Sequence, residues 1–90
     1  MQRWRLRYTG RVQGVGFRAT CHAIARDHDV RGWVRNEPDG SVTLEAQGDP
    51  DELTAFTQAI ETAMAKNIAD AERTPLTPDQ SAPPGFQISR

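Results

Sequence analysis

Ninety residues suffice for one domain with one two-layer core, and a hydrophobic share of 37% beside 26% charged residues excludes a disordered or membrane-embedded chain. No apolar run approaches the roughly 20 residues of a transmembrane helix, and Met1-Gln2-Arg3-Trp4-Arg5 lacks the apolar core of a signal peptide, so a cytoplasmic protein is expected. The net charge of −1 hides a division: residues 1–36 carry eight Arg against Asp27 and Asp29, whereas residues 37–90 carry three basic and ten acidic side chains, so the front half attracts anions.

Trp4, Leu6, Tyr8 and Val12 alternate with Arg3, Arg5, Arg7 and Arg11, which predicts a strand with one buried face. Phe17, Cys21 and Ile24, with Ala25 beside them, recur at helical spacing and predict an amphipathic helix over 17–28. Val30 and Val34 alternate with Arg31, Trp33 and Arg35. After Glu37-Pro38-Asp39-Gly40, Val42, Leu44 and Ala46 resume the alternation, so a hairpin is expected, with Pro38 and Gly40 at turn positions that suit them. Gly48 closes its second arm.

Asp49-Pro50-Asp51-Glu52 reads as a helix start, with Asp49 as cap, Pro50 at the first position and Glu52 completing a capping box. Leu53, Phe56, Ile60 and Met64 form that helix's buried stripe. Residues 69–76 are poor in β-branched side chains, and Pro75, Pro78, Pro83 and Pro84 oppose long strands, so a short or frayed strand is expected there. Ser81 to Gly85 reads as a mobile loop, followed by a short strand at Phe86 and Ile88. The order predicts an α+β chain of ferredoxin-like βαββαβ architecture over residues 1–90, an antiparallel sheet with two helices on one face.

The chemistry is concentrated in Thr9-Gly10-Arg11-Val12-Gln13-Gly14-Val15-Gly16-Phe17-Arg18, a glycine-punctuated turn from strand to helix. Gly14 and Gly16 can adopt conformations closed to other residues. The amides of Gln13, Gly14, Val15, Gly16, Phe17 and Arg18, with the positive end of the helix dipole, would then form a concave anion site, and Arg18 adds a fork of donors matched to phosphate. Read alone, the segment also fits a Gly-rich connector with a surface arginine. It lacks the Gly-Lys-Ser/Thr ending of a nucleotide-binding loop and the acidic ribose ligand of a dinucleotide fold. Gly32-Trp33-Val34-Arg35-Asn36, with Asp39-Gly40-Ser41-Val42 behind it, is the second marked segment, in which Asn36 by itself fits a plain turn residue.

Together, Gly10-Arg11-Val12-Gln13-Gly14-Val15-Gly16-Phe17-Arg18 and Gly32-Trp33-Val34-Arg35-Asn36 with Asp39-Gly40-Ser41-Val42 resemble the two signature segments of the acylphosphatase family, in order and at the family's spacing. The resemblance is strong over residues 4–48. It implies a hydrolase acting on acid anhydrides, an acylphosphate phosphohydrolase, in which the loop from Gln13 to Arg18 cradles the phosphoryl group, Arg18 grips its oxygens and Asn36 orients the attacking water. The expected partner is a small acyl phosphate, with phosphate or a similar anion as product or ligand, and no cofactor, nucleic acid or membrane, in a monomer.

Cys21 lies after Arg18, not five residues before it as a phosphocysteine nucleophile requires, and reads as a small buried residue. His22 and His28 are six apart, which does not place two ligands on one helical face, so no metal is expected. The arginine-rich face of the first strand invites comparison with RNA-recognition domains, but their aromatic motif is absent and Trp33 is the one outward aromatic. Acylphosphatase-like domains also open larger carbamoyl-transferring proteins, where the same loop would take carbamoyl phosphate.

Overall fold

The computed structural model describes residues 1–90. Alternation in the first strand is realised as β1 (Gln2–Gly10), with Trp4, Leu6 and Tyr8 buried and the arginines between them turned outward. The remaining elements are α1 (Phe17–Ala25), β2 (Arg31–Asn36), β3 (Val42–Gly48), α2 (Pro50–Ala63), β4 (Ile68–Leu76) and β5 (Phe86–Ile88). The sheet order is β4-β1-β3-β2-β5. β1 pairs antiparallel with β3 and β4, and β2 antiparallel with β3, whereas β5 runs parallel to β2, so the sheet is mixed at that margin. Both helices cover one face, and Phe17, Cys21 and Ala25 of α1 meet Leu53, Phe56 and Ile60 of α2 over Leu6, Tyr8, Val34 and Leu44. Each fully buried aliphatic or aromatic side chain of this layer contributes about 1.5–3 kcal/mol by its removal from water.

The opposite face is held by charge. Glu45, on the central strand and only 5% exposed, accepts from Arg3 at 2.6 Å and from Arg5 at 2.7 and 2.9 Å. Arg7 reaches Asp39 across β3 at 2.9 Å, and Arg35 pairs with Glu37 at 3.0 Å. Burial alone would raise the Glu45 carboxyl, but the hydrogen bonds and charges of Arg5 and Arg3 outweigh it and hold its pKa below the ordinary carboxylate range. A carboxyl depressed in the folded state binds fewer protons than in the unfolded one, so its stabilisation is complete above the unfolded pKa and is lost as pH falls through the folded value. Urea unfolding at successive pH values is therefore expected to show stability falling below about pH 5. Glu45→Gln should be less stable at neutral pH and show a shallower fall.

Gly32 lies close against β3: a Cβ there would stand 1.8 Å from the Glu45 carbonyl oxygen, so no side chain fits.

The segment joining β4 to β5 crosses this outer face from one margin of the sheet to the other. Arg3 donates to Thr77 O, Gln47 exchanges two hydrogen bonds with the Asp79 backbone at 2.8 and 2.9 Å, and Arg31 donates to Ala82 O. Arg3, Gln47 and Arg31 form one rung across β1, β3 and β2. The Gly32 N–H donates to Gly85 O at 3.1 Å, so residues 81–85, expected to be mobile, are fastened at both ends.

Two further expectations change. β4 is nine residues long rather than short, and all but its end residues are exposed; as an edge strand it needs no apolar face, and Pro75 is tolerated where no further strand requires its N–H. At the start of α2, Pro50 holds the first position, but the Asp49 side chain makes no capping bond, and Glu52 instead accepts the Asp29 N–H at 2.6 Å, tying the α1–β2 turn to α2.

Candidate active site

The turn from β1 to α1 is pinned at both ends by buried side chains. Val12 is 1% exposed, and Phe17 packs its ring 5.2 Å from that of Tyr8, while Gly14, Val15 and Gly16 stand out into solvent. Gly14 and Gly16 have φ of 74° and 79°, left-handed backbone that glycine adopts without steric cost. A Cβ at either would meet nothing within 4 Å, so glycine serves the conformation there rather than a tight contact. The result is a row of free donors: no N–H from Gln13 to Ala19 donates to a backbone or side-chain acceptor, and Gly16 caps α1 without a side-chain bond. Such a concave row at a helix N-terminus is suited to an anion.

Asn36 is the last residue of β2 and, two positions beyond buried Val34, faces the helical layer. Its Oδ1 is buried and has no hydrogen-bond partner, an uncommon state for a polar atom shielded from solvent. Asn36 and Arg18 line one open cleft of about 540 Å³ together with Val12, Gly14, Gly16, Phe17, Ala19, Ile88 and Arg90. None of these nine side chains is a carboxylate, imidazole, amine or thiol, so the only charged side chains lining the cleft are the two guanidiniums, and no side chain there is an ordinary general acid or base.

Of the predicted phosphate-binding residues, Gly14, Gly16, Phe17 and Arg18 line this cleft. Val15 sits on the exposed crest of the turn, 37% exposed. The Gln13 side chain turns away and donates to the carbonyls of Glu37 and Ser41. Ile88 and Arg90 were not among the predicted site residues. They arrive through the parallel β2–β5 pairing, in which Val34 faces Ile88 and the Ser89 N–H donates to Val34 O at 2.8 Å, which leads the chain end to the cleft that Asn36 lines. The one signal in the sequence was the arginine itself, two residues after an apolar position.

Cys21 is buried in the core, where loss of solvation pushes its thiol up to about 12, and it does not line the cleft. Tyr8 is likewise buried; its phenol is pushed upward first by burial and then by the Glu61 carboxylate, to which its hydroxyl donates at 3.1 Å. On the outer face the arginines of β1 are paired with Glu45 and Asp39, and the Arg35 guanidinium lies 4.7 Å from the centre of the Trp33 ring.

The profile of the acylphosphatase family matches residues 4–88. An acylphosphatase of Oceanobacillus iheyensis is 40% identical over 81 residues, which are 88% of this chain and 89% of that protein. One from Salinibacter ruber is 59% identical over 54 residues, 60% of this chain and 57% of the relative. For several curated relatives the matched stretch is only 43 to 57% of their length. The crystal structure of an acylphosphatase from Bacillus subtilis superimposes with a TM-score of 0.87 at 29% identity, covering 100% of both chains. With the profile running from the first strand to the last, the chain belongs to the acylphosphatase family.

Proposed function

We propose that the protein is an acylphosphatase: it hydrolyses the carboxyl–phosphate bond of small acyl phosphates, giving a carboxylate and inorganic phosphate. Family membership supports the reaction class, and the observation that carries the reading is that Arg18, the glycine turn with its unpaired amides, and Asn36, whose Oδ1 has no partner within the protein, line one cleft.

In this reading the loop from Gln13 to Arg18 receives the phosphoryl oxygens, and the Arg18 guanidinium neutralises their charge through paired N–H donors. Asn36 Oδ1 accepts a hydrogen bond from the attacking water, which orients the water's lone pair toward phosphorus. The P–O bond to the acyl group breaks as the new one forms. The departing carboxylate has a conjugate acid of pKa about 4.3, like a glutamate, so it leaves at neutral pH without a general acid. The lack of an acid–base pair in the cleft is thus compatible with the chemistry, and catalysis rests on placement and charge neutralisation. The protein would act in the cytoplasm as a monomer and without a cofactor.

The test is a steady-state assay of an aromatic acyl phosphate in the presence of chelator, run beside a simple phosphate monoester. Turnover of the first and not the second is the expected result. No turnover of the acyl phosphate, or equal rates on both, would sink the assignment.

A further inference from the structure

Gln13 makes the only hydrogen bonds between the phosphate loop and the β2–β3 hairpin. Its Nε2 donates to Glu37 O at 2.7 Å and to Ser41 O at 2.8 Å, so both amide hydrogens are used. Glu37 immediately follows Asn36. The two acceptors are also the carbonyls that close the hairpin turn: Glu37 O accepts the Gly40 N–H at 3.1 Å, and Ser41 O accepts the Glu37 N–H at 2.9 Å. Each therefore accepts one backbone N–H and one hydrogen of Gln13. The loop's other anchors, Val12 and Phe17, are buried in the core, Phe17 against Tyr8 of β1, and make no hydrogen bond to the hairpin. Gln13 itself does not line the cleft.

We infer that Gln13 is a positioning residue, whose carboxamide locks the phosphate loop to the turn after Asn36 and so sets the distance between the bound phosphoryl group and the water held by Asn36. The inference rests on the functional reading above. In-line displacement needs the nucleophile and phosphorus aligned, and these are carried here by two different elements, α1 with its loop and β2. A misplacement of about 1 Å can cost 10²-fold in rate. The side chain must be a double donor: a carboxylate at this position would face two carbonyl oxygens with nothing to donate, and a methionine keeps the shape without the bonds.

The experiment compares Gln13→Ala and Gln13→Met, each alone and combined with Asn36→Ala, using an aromatic acyl phosphate and inhibition by inorganic phosphate. Both single variants are expected to lose about 10-fold or more in kcat while KM and phosphate inhibition stay within about threefold, because the anion site itself is retained. In the Asn36→Ala background the same substitutions should cost less than about threefold, since the group they align is gone. Three results would overturn the inference: wild-type kcat in Gln13→Met, a full additive loss in the double variants, or phosphate inhibition weakened in parallel with kcat. Failure of the underlying functional reading is seen separately, as an inactive wild type or a fully active Asn36→Ala.

Discussion

Asn36→Ala is expected to lower turnover of an acyl phosphate by roughly 10²–10³, the cost of deleting one preorganised polar group at a reacting centre. Inhibition by inorganic phosphate should stay close to wild type. The separation follows from where the side chain stands. Its backbone continues the β2–β3 pairing opposite Val42, which alanine can maintain, while the residue lines the cleft and its shielded Oδ1 has no partner within the protein. A group that acts on the water and not on the bound anion affects kcat and leaves ground-state phosphate binding intact. Turnover at the wild-type rate would remove Asn36 from the mechanism. A matching loss of phosphate inhibition would make it an anion ligand instead.

Arg18→Ala should be the more damaging change, on the order of 10³ or more in kcat/KM, because charge-assisted hydrogen bonds are about twice as strong as neutral ones and this group meets the phosphate in both ground and transition states. Both kcat and KM should suffer, and inorganic phosphate should cease to inhibit at concentrations that affect the wild type. Arg18→Lys keeps the charge but loses the planar fork, so it should recover part of the binding and less of the rate. Side-by-side titration with phosphate checks this directly. If Arg18→Ala binds phosphate like the wild type, the anchor lies elsewhere, and Arg90, the other guanidinium lining the cleft, becomes the candidate.

Most of the scaffold was legible because its elements have one wet and one dry face. The alternation of Trp4, Leu6 and Tyr8 with arginines, and the stripes of both helices, are direct imprints of burial, and the core contains those residues. β4 left no such imprint. It is exposed along nearly its whole length, so its partner β1 and its edge position define it, and its charged residues Asp70, Glu72 and Arg73 suit an edge that must not recruit another strand. The Glu52 side chain shows a related limit: its local spacing matched a capping box, but the Asp29 N–H, distant in sequence, offered the hydrogen bond it makes.

In the site, the glycine-marked turn and Asn36 stood out because their residue types are special for backbone reasons or matched a family pattern. That Arg18 and Asn36 would share a cleft followed from no local rule. Ile88 and Arg90 were invisible for the same reason, since only the parallel register against β2 brings them to Asn36. The Gln13 side chain is the sharpest case, because the loop pattern points to an anion while the structure sends its carboxamide to two carbonyls across the turn.

The strap of residues 77–85 has a mechanical corollary. It begins at one margin of the sheet and ends at the other, gripping β1, β3 and β2 in turn on the way. Peeling β4 outward therefore tugs on the same tether that seats β5, the strand leading to Ile88 and Arg90. The two rims of the molecule are thus tied by one segment, and loosening at the rim remote from the cleft is expected to reach its wall.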